Sequence, residues 1–68
     1  MRIVVNGESR ETEPNVSVAE VVASTGRDPA GRGTAVAVNG DLVARSKWNV
    51  TELSEGDSVE IVVAVQGG

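Results

Sequence analysis

The group in this chain with the clearest chemical potential is a carboxylate, that of Gly68 at the end of Val65-Gln66-Gly67-Gly68. Glycine lacks a Cβ, so a Gly-Gly tail can take backbone conformations closed to other residues and can enter a narrow cleft. At average glycine usage a terminal Gly-Gly arises by chance on the order of 0.5% of the time, so the tail is worth testing against the rest of the chain. The bland reading is that small residues are common at frayed ends. Elsewhere the chemistry is thin. There is no His, Cys or Tyr, and Lys47 is the single lysine. Histidine is the usual general base at neutral pH and cysteine the strongest side-chain nucleophile. The remaining candidates are carboxylates, hydroxyls, Lys47 and the termini, a poor set for an enzyme acting alone.

Charge and length narrow the classes further. The net charge is −4, with acids scattered along the chain. Nucleic-acid binding needs a basic footprint, and this sequence has none; a basic protein partner fits better. Sixty-eight residues make one small domain near the lower limit for a core without staples. Without cysteine there is no disulfide framework, which fits a reducing cytoplasm. The apolar run after Met1 is too short for a signal peptide, and no stretch reaches membrane-spanning length. The expected setting is cytoplasmic, with no membrane partner.

The elements that must position the tail follow from local signals. Arg2 to Asn6 alternates as a strand, and Asn6-Gly7 is a type I′ hairpin signal leading into Glu8 to Glu13, which Pro14 ends. Ser17 and Glu20 form a capping box, with Val16 and Val21 as a hydrophobic staple. Val18, Val21, Val22 and Thr25 share a helical face, and Gly26 is placed to stop the helix. Arg27 to Gly33 is a loop. Its glycines do not make a phosphate cradle, because no Gly-Lys-Ser/Thr and no helix follow. Thr34 to Val38 is a third strand, Asn39-Gly40 a second hairpin turn, and Asp41 to Arg45 a fourth strand. Ser46 to Leu53 is irregular and holds the single aromatic, Trp48, expected as a packing anchor with its indole N–H on a partner. Lys47 beside it reads as a solvated side chain. Glu55-Gly56-Asp57 turns into a final strand over residues 58–64.

A hairpin, a helix, a hairpin and a last strand make an α+β fold in which one main helix buries its stripe on a mixed sheet of about five strands. The first and last strands, joined through the helix crossover, must lie parallel. This is the β-grasp, or ubiquitin-like, layout over residues 1–68. With Val36, Val38, Val59, Ile61 and Val63 toward the helix, the opposite face carries Val4, Ala35, Ala37, Val62 and Ala64. Small exposed apolar patches are often partner sites. Val4, Val62 and Ala64 are the expected docking residues, because the tail leaves from the same strand.

Individual segments then resemble the ThiS family of sulfur-carrier proteins of thiamine biosynthesis. They are Val4-Val5-Asn6-Gly7-Glu8, Ala35-Val36-Ala37-Val38-Asn39-Gly40, Val43-Ala44-Arg45-Ser46-Lys47-Trp48, Leu53 to Ile61, and Ala64-Val65-Gln66-Gly67-Gly68. The Gly-Asp-x-Val-Glu-Ile and Gly-Gly pieces are shared with related carriers, and Arg-Ser-x-Trp is the more specific mark. Ala44 stands where the family often has proline, and the Arg27–Gly33 loop is longer than in the shortest members. The resemblance implies that the Gly68 carboxylate is adenylated by a ubiquitin-activating-like adenylyltransferase using ATP and Mg. A cysteine-derived persulfide would then supply sulfur, leaving a thiocarboxylate on Gly68 for thiazole synthase to consume. Val65, Gln66 and Gly67 would thread the tail into these partners. No cofactor is expected on the chain itself. The alternatives are a small β-grasp subunit of molybdopterin synthase, with the same chemistry, and a passive interaction module.

Overall fold

The computed structural model describes residues 1–26 and 33–63. Most of the Arg27–Gly33 loop and all of the tail from Ala64 to Gly68 lie outside the described residues. The elements run β1 (Arg2–Val5), β2 (Glu8–Glu11), α1 (Val18–Ser24), β3 (Thr34–Val38), β4 (Asp41–Val43), a 3-10 turn (Arg45–Lys47) and β5 (Ser58–Val63). The five strands form a sheet in the order β2-β1-β5-β3-β4. β1 and β5 are parallel and the other pairs antiparallel, as the helix crossover requires.

Both Asn-Gly pairs turn as expected. Asn6 and Gly7 have φ of 50° and 84°, and Asn39 and Gly40 have 51° and 88°, the left-handed pair that a type I′ turn demands. β2 is shorter than its sequence suggests. It ends at Glu11, although the Thr12 N–H still donates to the Met1 carbonyl at 2.8 Å; Pro14 then removes a donor. β4 stops at Val43 instead of Arg45, because the chain folds into the 3-10 turn at Arg45.

α1 starts with the capping box. The Glu20 N–H donates to Ser17 Oγ at 3.1 Å, and the Ser17 N–H donates to Glu20 Oε1 at 3.2 Å. The remaining N-terminal donors are met from the irregular segment. Val18 N–H donates to the Thr51 carbonyl at 2.9 Å, and Ala19 N–H to the Trp48 carbonyl at 3.1 Å. A helix of seven residues is too short to hold itself by propensity, so this cradle and its buried Val18, Val21 and Val22 hold it. Those three pack with Ile3, Val5, Val36, Val59, Ile61 and Leu53 in one core between helix and sheet.

Trp48 closes that core at one edge. It is 3% exposed, and its Nε1–H donates to the Val43 carbonyl at 3.0 Å. The expected packing anchor is therefore what the structure contains. Its position also fixes the 3-10 turn, through Trp48 N–H to the Arg45 carbonyl at 3.1 Å.

Candidate functional site

β5 carries the tail, so the site begins with what holds β5. At its start, Asp57 Oδ2 accepts from the Ser54 N–H at 2.8 Å and Oδ1 accepts from Asn39 Nδ2 at 3.0 Å. Asn39 Oδ1 in turn accepts from the Ser58 N–H at 2.9 Å. On the β1 side, Val4 and Asn6 donate their N–H groups to the Asp57 and Val59 carbonyls, each at 2.9 Å. The Asn6 side chain then pairs with the backbone of Ile61. Beyond Ile61 the described ladder is one-sided: Val62 and Val63 pair with Ala35 and Thr34 of β3. The strand is thus clamped on both sides up to Ile61, and Val62 and Val63 continue past that clamp on β3 alone.

The sheet face away from α1 is the broad surface beside this exit. Register places Arg2 and Val4 of β1, Ser58, Glu60 and Val62 of β5, Ala35 and Ala37 of β3, and Leu42 of β4 on it. Of the expected docking residues, Val62 is 62% exposed and lies opposite Ala35. Val4 is half-buried and pairs with Ser58, about 13 Å down the strand from Val62 at a rise of about 3.3 Å per residue. Ala64 lies outside the described residues, as do Val65, Gln66, Gly67 and Gly68. Val36, Val38 and Ile61 face the helix as expected, whereas Val63 is left 39% exposed.

Sequence reasoning missed Leu42. At 79% exposed it is the most open large apolar side chain described, and it stands opposite Ala37. A signal was present: a two-residue turn at Asn39-Gly40 forces Val38 opposite Asp41, and hence Ala37 opposite Leu42. The apolar part of the face therefore comprises the Leu42–Ala37 and Ala35–Val62 pairs, toward the C-terminal half of β5. Among the described residues no group of three acidic side chains is gathered closely enough to hold a metal ion. Among the same described residues no helix is long and apolar enough to cross a membrane. The arrangement is suited to presenting a strand end and a small apolar face to another protein.

Comparison with known proteins agrees with this architecture. The crystal structure of a thiamine biosynthesis protein (ThiS) from Geobacter metallireducens superposes with a TM-score of 0.82 at 26% identity, covering the whole of both chains. A solution structure of a thiamine biosynthesis protein from the same organism gives 0.80 at 26% identity, over all of this chain and 88% of that one. A curated relative from Paramagnetospirillum magneticum, named thiazole synthase, is 32% identical over 68 residues. That match takes in all of this chain and 20% of the relative, so the chain spans about a fifth of its length. The sequence pattern of the ThiS family matches residues 3–68, and the chain belongs to the ThiS family.

Proposed function

We propose that this protein is the sulfur carrier of thiazole formation in thiamine biosynthesis, with Gly68 as the carrying residue. The observation that carries the reading is the family match over residues 3–68, which runs through the terminal Gly67-Gly68. A carboxylate is a poor electrophile, so the Gly68 oxygen first attacks the α-phosphorus of ATP, held with Mg on the adenylyltransferase, and expels pyrophosphate. The resulting acyl adenylate has AMP as a good leaving group. A cysteine-derived persulfide attacks the acyl carbon and displaces AMP, and a thiol reductant cleaves the S–S bond to leave the thiocarboxylate. The sulfur comes from outside, since the chain has no thiol. Val65, Gln66 and Gly67 thread this terminus into the active sites of the partners.

Thiazole synthase is the acceptor. The relative of that name includes a stretch similar to this entire chain, which supports a working association between the two kinds of polypeptide. The same observation favours this reading over a molybdopterin synthase subunit. In this reading Val4, Val62 and Ala64 dock on the acceptor, and the carrier delivers Gly68 to its active site. A small patch without aromatics gives a modest, transient interface, suited to a carrier that visits two enzymes in turn.

The test is intact mass spectrometry after incubation with adenylyltransferase, ATP, Mg and a persulfide donor. The expected result is a gain equal to one oxygen replaced by sulfur, mapping to Gly68. A gain mapping to Lys47 or another internal residue would overturn the reading, and no gain would favour a passive module.

A further inference from the structure

Glu60 stands alone on the open face. It pairs across the sheet with Ala37, whose other neighbour is Leu42, and the next outward residue along β5 is Val62. Its carboxylate has no hydrogen bond or ion pair among the described residues. The other charged side chains on this face, Arg2 and Glu11, satisfy each other at 2.7 Å on the β1–β2 side. A protein that covers Leu42, Ala37 and Val62 must also cover Glu60. Taking a lone carboxylate out of water is costly unless a cation meets it.

We propose that thiazole synthase, taken as the acceptor in the reading above, covers this face and sets an arginine or lysine opposite Glu60, ringed by apolar groups over Leu42 and Val62. Charge argues against the other occupants. A second copy laid face to face would bring Glu60 toward a face on which the described residues offer no unpaired cation, on chains that each carry a net −4. Nucleic acid would bring phosphates to the same carboxylate. A cation at this position supplies attraction and register together, since a shift of the partner by one strand leaves both charges unpaired.

The experiment measures the affinity of the full chain for the thiazole synthase of the same organism at low and high salt. Wild type is compared with Glu60→Gln and Val62→Glu, and each variant's fold is checked by its urea midpoint. Both side chains are exposed, so the midpoints should match wild type. Glu60→Gln is expected to weaken binding by about 30-fold or more and to flatten its salt dependence. Val62→Glu should also weaken it strongly. If Glu60→Gln binds like wild type while Val62→Glu does not, the face stands and the cation is overturned. If both variants bind like wild type, the face itself is wrong, while sulfur loading at Gly68, read by mass, still reports on the carrier reading separately. Wild type that loads sulfur but binds no thiazole synthase overturns the assignment of the partner.

Discussion

The side-chain amide of Asn6 makes two hydrogen bonds to the backbone of Ile61: Oδ1 accepts from the Ile61 N–H at 2.8 Å, and Nδ2 donates to its carbonyl at 3.2 Å. β1 ends at Val5 and the chain turns back at Asn6-Gly7, so on the β1 side β5 has no backbone neighbour at this point, while Val36 of β3 stands on the other. The amide takes the place of the missing rung. Asn6→Gly keeps the left-handed turn and removes both bonds. The expected cost is about 1–3 kcal/mol in urea unfolding, for two lost bonds beside a buried residue. Amide exchange at Ile61 should accelerate well beyond that at Val36. Unchanged exchange at Ile61 would show that the clamp does not hold the strand.

Trp48 is both the edge of the core and the sequence's single tryptophan, so its fluorescence reports directly on folding. Trp48→Phe keeps a ring but removes the indole donor and its bond to the Val43 carbonyl, at an expected cost of about 1–3 kcal/mol. Trp48→Ala should cost about 3–5 kcal/mol, near the whole stability of a domain this small, and leave it largely unfolded by circular dichroism at 25 °C. A folded Trp48→Ala protein would mean that the segment over residues 48–53 is held by its backbone bonds alone.

The capping box should be measurable by itself. Ser17→Ala removes the acceptor for the Glu20 N–H and the hydroxyl donor to the Glu20 carboxylate, which keeps the backbone N–H of residue 17, at an expected cost of about 1 kcal/mol. The loss should appear as a lower urea midpoint with unchanged slope. A larger loss with a changed slope would show that the cradle formed by Trp48 and Thr51 fails together with the cap.

The tail should respond to shape and not to stability. Gly67→Ala is expected to leave the urea midpoint unchanged and to slow adenylation strongly. Chain termini in general carry little of a domain's packing, while a channel fitted to bare backbone would meet the added Cβ and misplace the reacting carboxylate. Adenylation is followed as pyrophosphate release with the activating enzyme. Wild-type kinetics would show that the glycines are not threaded.

Local signals in the sequence were enough for the two Asn-Gly turns, the Ser17–Glu20 cap, the buried stripe of α1 and the parallel pairing of β1 with β5. Each depends on residues a few positions apart or on a chirality rule that leaves one connection. The same signals implied Leu42 on the open face, once the Asn39-Gly40 turn set the register. Tertiary structure decided what lies beyond that range. Asn6 and Asn39, legible as turn residues, also grip β5, and Asn6 reaches a backbone 55 positions away. The segment from Trp48 to Leu53 looked irregular because, beside its short i−3 turns, it bonds across the chain to the start of α1 and to Val16. Glu60 is one acid among many in the sequence, and only the stacking of β1, β5, β3 and β4 leaves it alone among small apolar side chains. Short-range pattern can specify a turn or a cap, because the partners are held together by the chain. A clamp or a face needs partners that meet only after the sheet has closed.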